Sequence, residues 1–108
     1  MTIVSNVVTY QGDDYYDVDG RALLWTDTDS EWPTISGASI NAIVNGVVSF
    51  PCTIIDEDNI MCELSASGTL TVPIKNFPHP YQVIATLINN HIVTLVDGHW
   101  TSKVKRTV

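Results

Sequence analysis

Short runs of alternating apolar and polar residues dominate the 108-residue chain. The clearest pair covers residues 38–55 and has Asn45-Gly46 at its centre. Asn and Gly adopt positive φ more readily than other residues, and both central positions of a type I′ turn require it. Alternation with a period of two predicts one buried and one wetter face. The stretch therefore predicts a β-hairpin with these inward side chains: Ile40, Ala42, Val44, Val48, Phe50, Cys52 and Ile54.

The rest of the chain predicts further short strands, since β-branched and aromatic runs are separated by turn residues. Strands are expected over 3–10, 15–25 (bent near Asp19-Gly20), 60–64, 81–87, 91–96 and 99–106. Turns are expected at 11–14, 56–59, 89–90 and 97–98, and 65–73 fits a helical turn or an irregular loop. The prediction is an all-β chain, one domain over 1–108. Its expected architecture is a two-sheet, immunoglobulin-like antiparallel β-sandwich of about seven or eight strands.

Composition narrows the class of protein. At 44% hydrophobic and 16% charged residues, the chain is typical of a folded domain, and no apolar run approaches the roughly 20 residues of a transmembrane helix. The net charge of −7 argues against a nucleic-acid partner, because phosphate binding needs clustered Lys and Arg. No basic residue precedes the first apolar run, so no signal peptide is expected. We expect the protein to stay in, or to be assembled in, a cytoplasm.

The charge is distributed unevenly along the chain. Residues 1–74 hold eleven of the twelve acids and a single base, Arg21, for a net charge of −10. Residues 75–108 hold four bases and Asp97, for a net charge of +3. An acidic body and a basic tail can pack head to tail between copies. The simpler alternative, which we favour at this point, is that the acids confer solubility and the tail is merely solvated.

The acidic stretch near the start invites a calcium interpretation, which its spacing does not support. With Gly20 at position six of an EF-hand loop, Tyr15 and Thr26 fall where carboxylates are required. A looser calcium site remains a minor alternative to solvated loop acids, using some of these residues: Asp13, Asp14, Asp17, Asp19, Asp27, Asp29 and Glu31.

No catalytic arrangement is evident. His79, His91 and His99 lack metal-ligand spacing and are interpreted as surface or rim residues. Cys52 and Cys62 fall on inward positions of neighbouring predicted strands, where free cysteine behaves as a small hydrophobe, and a disulfide between them is the less expected state. No nucleophile elbow or phosphate-binding glycine loop occurs. The sequence predicts no enzyme, no cofactor and no metal.

The aromatic residues offer two interpretations. Trp32 lies between Glu31 and Pro33, so it is either an exposed interface anchor or a lid over one end of the sheet structure. Trp25 and Trp100 lie on predicted strands and are expected in the core. An exposed Trp32 together with Tyr15 and Tyr16 would form a stacking platform for glycans. That platform is the basis of an alternative function, a carbohydrate-binding or host-surface-adhesion module.

A series of turn motifs extends over nearly the whole chain: QGDD, TISGASI, VVSFPCTIID, IMCELSASGTLTVP, PYQVIATL and IVTLVDGHWTSKVKR. The series resembles the small β-sandwich domains of tailed-bacteriophage virion proteins, such as the N-terminal domain of upper baseplate proteins and tail-fibre attachment domains. The matching positions are Gly12-Asp13, 34–38, 53–56, 64–73, 81–85 and 104–106. Two departures are Pro51 in mid-strand and Val83 in place of an aromatic residue.

The resemblance implies a noncatalytic structural component of a virion, in the tail, baseplate, head adaptor or decoration layer. It would assemble in the host cytoplasm with other virion proteins, as a homo-oligomer, without nucleic acid or membrane. Docking is expected through loops and exposed edge strands, whose free backbone groups can extend a partner's sheet. The candidate interface residues are Trp32, Tyr15, Tyr16, Lys103, Lys105 and Arg106.

Overall fold

A computed structural model of the chain describes residues 3–74 and 78–104. About half of these residues form eight strands. They are β1 Ile3–Val4, β2 Val7–Tyr10, β3 Leu23–Thr26, β4 Ser39–Val44, β5 Val48–Asp56, β6 Asn59–Cys62, β7 His79–Thr86 and β8 Ile92–Lys103. A 3-10 turn covers Asp17–Asp19, and one helical turn, α1, covers Ala66–Thr69. The predicted all-β class is confirmed.

The strands form one hydrogen-bonded order, β1-β8-β7-β4-β5-β6-β3, and β2 also pairs with β8. Strand β5 changes partner along its length. Its register runs with β4 up to Cys52 and with β6 from Thr53. This change curls the sheet until Trp25 of β3 reaches Tyr81 of β7, where the indole Nε1 donates to the phenol oxygen at 3.2 Å. The curled sheet thereby encloses its own core.

The central hairpin of β4 and β5 is confirmed in detail. Asn45 and Gly46 have φ of 54° and 69°, as the turn requires. The Val47 N–H donates to the Val44 carbonyl at 3.1 Å and closes the turn. The alternating inward residues of β4 are all buried, and those of β5 are buried or partly buried. Local sequence was sufficient because the turn itself sets the register.

The first edge of the sheet corrects the prediction of a wholly antiparallel structure. Strands β1 and β2 both run parallel to β8, with Ile3 opposite Val96 and Val7 opposite Trp100. The predicted single strand over 3–10 is interrupted at residues 5–6. Alternation reveals that a segment is a strand but not the direction of its partner. The result is a mixed sheet.

A turn predicted at Asp97-Gly98 is wrong, because β8 passes straight through both residues. Gly98 has a different role. A Cβ atom at this position would lie 1.9 Å from the Ser5 carbonyl oxygen, so only glycine lets the edge strand approach. The Ser5 N–H also donates to the Asp97 carbonyl at 2.9 Å, so the same two segments are hydrogen-bonded to each other. The glycine therefore permits the junction of β1 and β2 to lie against β8.

The strand predicted over 15–25 is mostly wrong. Only Leu23–Thr26 is a strand, because the 3-10 turn ends at Gly20 with φ of 69° and redirects the chain. Tyr15 instead makes an isolated bridge to Leu64. The helical turn considered for 65–73 is confirmed, with Ser65 as N-cap, whose hydroxyl accepts from the Gly68 N–H at 3.0 Å.

The core is organised around Trp100, whose side chain is fully buried. Tyr81 meets it edge to face at 5.6 Å between ring centroids, and Phe50 stacks on it at 5.8 Å. The Trp100 Nε1 donates to the Thr9 hydroxyl at 2.9 Å, so its polar atom is satisfied inside the core. Trp25, on β3 at the other end of the strand order, is also buried. The predicted core positions of Trp25 and Trp100 are confirmed.

Candidate functional site

The solvent side of strands β1, β2, β8, β7 and β4 forms a broad surface, which we call the outer face. One row crosses it in register, from Val4 through Asp97 and Gln82 to Ile43. The alternate residues of the same strands, such as Val96 and Val83, point into the core. The outward residues of this face are Val4, Val8, Tyr10, Asp97, His99, Thr101, Lys103, Pro80, Gln82, Ile84, Asn41 and Ile43.

The outer face is nearly free of charge. Along the five strands that form it, the charged residues are Asp97 and Lys103. The other acids lie on the loops and turns around β3 and β6, in the segments 13–31 and 56–63. Charged residues are depleted from the centres of protein interfaces because their desolvation is costly. The face thus has the polarity of a contact surface.

The free edge of this face is apolar. Val4 is 79% exposed and Val8 is 50% exposed, and Tyr10 is also exposed further along the edge. At one end of β2 the edge backbone groups already have hydrogen-bond partners. The Tyr10 N–H donates to the Tyr15 hydroxyl at 2.8 Å. The Tyr10 carbonyl in turn accepts from the Asp13 N–H at 3.2 Å. Val8 therefore marks the open centre of the edge.

A shallow cavity of about 290 Å³ opens within the outer face and is lined by Ile43, Gly46, Pro80, Tyr81, Gln82 and Asp97. The Asn45 N–H donates to the Pro80 carbonyl at 2.7 Å and holds the hairpin turn beside this opening. The Tyr81 hydroxyl donates to the Ser5 carbonyl at 2.6 Å. Burial raises the pKa of Tyr81, so its phenol stays protonated. The cavity can accept an apolar side chain beside the polar groups of Gln82 and Asp97.

Trp32 does not lie on this surface. The residue is 8% exposed, and its Nε1 donates to the Leu95 carbonyl at 3.0 Å. Its backbone N–H donates to the carboxylate of Asp27 at 2.9 Å, and the Glu31 N–H donates to the same carboxylate at 2.7 Å. The interpretation of Trp32 as an exposed anchor is therefore wrong, and the lid interpretation is correct.

The predicted glycan platform is not formed. Tyr15 is 6% exposed, and the Arg21 guanidinium covers its ring at 4.6 Å from the centroid. Arg21 also pairs with Asp13 at 3.5 Å. Tyr16 is partly exposed, but its two intended partners in the platform are buried. Stacking on a sugar requires an open aromatic face, which Trp32 and Tyr15 do not offer.

Of the basic candidates, Lys103 is exposed at the end of β8 and lies opposite Tyr10 of β2. Lys105 and Arg106 lie outside the described residues. The sequence-based candidates thus include one residue of the outer face, and they omit Val4, Val8 and Gln82. Val4, Val8 and Gln82 are exposed positions of β1, β2 and β7 in the structure. The sequence did not show which strands lie next to one another, and this pairing is what brings exposed residues of separate strands together into one surface.

Across 3–74 and 78–104, no three His, Cys, Asp or Glu side chains lie close enough together to hold a metal ion. His79, interpreted from sequence as a surface or rim residue, is buried, and its Nε2 lies 2.6 Å from the Pro73 carbonyl. No helix in these segments is long and apolar enough to cross a membrane.

Comparison with known proteins adds no relative. Neither a scan against protein-family models nor a search of curated proteins finds a match to the chain. The function is therefore argued from the geometry and charge of the outer face.

Proposed function

We propose that the protein is a noncatalytic structural component that acts by protein–protein assembly through the outer face. The observation that supports this most is the polarity of that face. Its five strands contain Asp97 and Lys103 as their charged residues, although the whole chain has a net charge of −7. Apolar side chains are exposed along its free edge. Contiguous exposed apolar surface of this kind is typical of interaction sites.

The partner that the charge distribution favours is a second copy of the chain. Two copies that meet through their outer faces keep their acidic loops apart, whereas most other approaches would bring acids together. Asp97 and Lys103 lie six residues apart on β8, a separation of about 20 Å along the strand. In a two-fold arrangement, Asp97 of one copy can therefore face Lys103 of the other, and both pairs form at once.

The size of the face is compatible with such a contact. The face is four strands wide, because β1 and β2 lie end to end along β8. At about 4.8 Å per strand and about eight residues of about 3.3 Å along each row, it covers on the order of 500 Å² before side-chain relief is counted. Each partner in a stable complex buries roughly 800 Å² of accessible surface. The cavity beside Gln82 adds a recess into which an apolar side chain of the partner can insert.

The resemblance to tailed-bacteriophage virion domains supplies the setting of the proposal. The assembly would belong to a tail, baseplate, head adaptor or decoration layer, formed in the host cytoplasm together with other virion proteins. The two-sheet, immunoglobulin-like arrangement is part of the same proposal. The contact of Trp25 with Tyr81, which brings β3 over β7, supports it because a sandwich also stacks two layers in this way.

The setting is tested by mass spectrometry of purified particles from the phage or prophage that encodes the chain. Peptides of the chain at a fixed ratio to the major virion proteins are the expected result. Their absence from particles, while the chain is expressed in the same cells, would contradict the virion setting.

The assembly itself is tested by light scattering at increasing protein concentration and at two salt concentrations. We expect a dimer or larger species at the higher protein concentrations. Salt should change its stability little, because salt screens both the repulsion between chains of like net charge and the Asp97–Lys103 pairs. A head-to-tail contact between acidic body and basic tail would weaken with salt instead. A monomer at all concentrations would contradict the proposal.

A further inference from the structure

The two cysteines lie opposite each other on neighbouring strands. Strands β5 and β6 pair with Thr53 opposite Met61 and Ile54 opposite Ile60. Continued by one residue beyond Thr53, this antiparallel register places Cys52 opposite Cys62. Both are free cysteines, with Cys52 partly exposed and Cys62 buried.

The hydrogen-bond pattern fixes the type of this pair. The Asp27 N–H donates to the Asp58 carbonyl at 2.7 Å, which makes them a hydrogen-bonded pair between the β3 and β6 ends. Such pairs recur at every second residue, so Leu23 and Cys62 form another one. The backbone groups of Cys62 therefore face β3, and Cys52 and Cys62 are a non-hydrogen-bonded pair. Their Cα atoms are then about 4.5 Å apart, within the range that a disulfide spans.

The two thiols have unequal environments. A hydrogen bond between them lowers the pKa of Cys52 and raises the pKa of Cys62, and burial raises the pKa of Cys62 further. Each sulfur also lies near a backbone carbonyl, Cys52 Sγ at 3.8 Å from Phe50 and Cys62 Sγ at 3.7 Å from Pro51. The thiolate is the nucleophile in disulfide exchange, and the reagent must be able to reach it. The partly exposed Cys52 is therefore the attacking residue and the buried Cys62 the resolving one.

We propose that Cys52 and Cys62 form a thiol–disulfide modification site that small-molecule disulfides oxidise. The Cys52 thiolate attacks one sulfur of the disulfide, the S–S bond breaks and one thiolate leaves. Cys62 then gives its proton to that thiolate and attacks the Cys52 sulfur, and the second thiolate leaves. The two cysteines are oxidised to one disulfide, and the reagent is reduced to two thiols.

The position of the pair gives the oxidation a structural consequence. Cys52 is the last residue of β5 in register with β4, and Thr53 is the first in register with β6. A disulfide here would join β5 to β6 at the point where the sheet curls. The pair lies on the core side of the sheet and away from the outer face, so this site does not depend on the proposed assembly.

The test uses oxidised glutathione and the folded, full-length chain. We expect an intact mass lower by two hydrogen atoms, a peptide map that joins Cys52 to Cys62, and a thermal midpoint raised by roughly 5 °C. Dithiothreitol should reverse all three changes. Disulfide-linked dimers, or a folded protein that does not react, would contradict the proposal.

Two serine variants separate the roles of the cysteines. Cys62→Ser should keep a stable glutathione adduct on Cys52, because no thiol is left to resolve it. Cys52→Ser should react at least about tenfold more slowly, because Cys62 is buried and its thiolate is disfavoured. Equal rates for the two variants would overturn the assignment of roles. A wild-type chain that accumulates the adduct without forming the disulfide would overturn the site itself.

Discussion

The sheet has two edges, β2 and β3, that look alike in sequence and differ in surroundings. Each is a four-residue strand with alternating burial, and each exposes one apolar residue near its middle, Val8 at 50% and Leu24 at 60%. Strand β2 runs parallel to β8 and borders the low-charge outer face. Strand β3 runs antiparallel to β6 and is followed by the acidic segment that begins at Asp27.

This difference shows how one chain can leave one edge strand accessible to another copy and protect the other edge strand from pairing. Charged residues next to an edge strand discourage other strands from pairing with it. Acids surround β3 from both the loop after Thr26 and the turn at Glu57-Asp58. At β2 the edge is limited only at Tyr10, by the hydroxyl of Tyr15. The contact between outer faces is therefore expected to include the β2 edge and to leave the β3 edge free.

The largest loss of stability is expected where the β2 edge lies closest to its neighbour. Gly98→Ala places a Cβ against the Ser5 carbonyl, so the edge must move, and we expect a loss of about 3 kcal/mol or more. Gly20→Ala, on the path to β3, meets no atom within 4 Å and carries only the strain of its φ of 69°, about 1 kcal/mol. Urea unfolding measures both, and equal losses would contradict the packing at Gly98.

The next largest loss is expected beside the β3 edge. Asp27→Ala removes the acceptor of the Glu31 and Trp32 N–H groups, so we expect a loss of about 2 kcal/mol. Trp32 fluorescence should shift to the red as the lid loosens. Asp29→Ala, an exposed neighbour, should change stability by less than about 0.5 kcal/mol. An unshifted spectrum in the Asp27 variant would contradict the lid.

A smaller loss is expected at Tyr81, where β7 contacts Trp25 of β3. Tyr81→Phe removes the hydroxyl that donates to Ser5 and accepts from Trp25, at a cost of about 1 to 2 kcal/mol. Because burial raises the pKa of Tyr81 in the folded state, wild-type stability should be retained below the ordinary tyrosine pKa and fall as pH rises above it. Unfolding measured from neutral to strongly alkaline pH should show a gentler alkaline decline in Tyr81→Phe than in wild type. Identical slopes would contradict the raised pKa.

Local sequence predicted the features that local physics determines. Asn45-Gly46 defined the hairpin because positive φ at both residues is a property of the turn alone. Gly98 was wrongly predicted in a turn, because glycine is common in turns and its neighbours in the sequence do not show that it lies within a strand. Glycine is required at this position because the Ser5 carbonyl lies against it, and Ser5 is far from Gly98 in the sequence.

The outer face could not be predicted from the sequence, because it too depends on contacts between segments that are distant in the chain. Val4, Val8 and Gln82 lie on three different strands, and the parallel pairing of β1 and β2 with β8 brings them together. For Trp32 the sequence left two interpretations open, an exposed anchor and a lid. The carboxylate of Asp27, five residues earlier, folds the loop inward.

Two single variants, each with a lysine on one of the two edge strands, test the assembly most directly. They are also expected to have the smallest effect on stability. Val8→Lys and Leu24→Lys both replace an exposed apolar residue on a four-residue edge strand, so each should change stability by less than about 0.5 kcal/mol. Sedimentation equilibrium of both variants and wild type measures their self-association. We predict that Val8→Lys weakens it at least about tenfold, because a charge would be buried in the contact, and that Leu24→Lys leaves it unchanged. Equal association of all three proteins, or loss only in Leu24→Lys, would contradict assembly through the outer face.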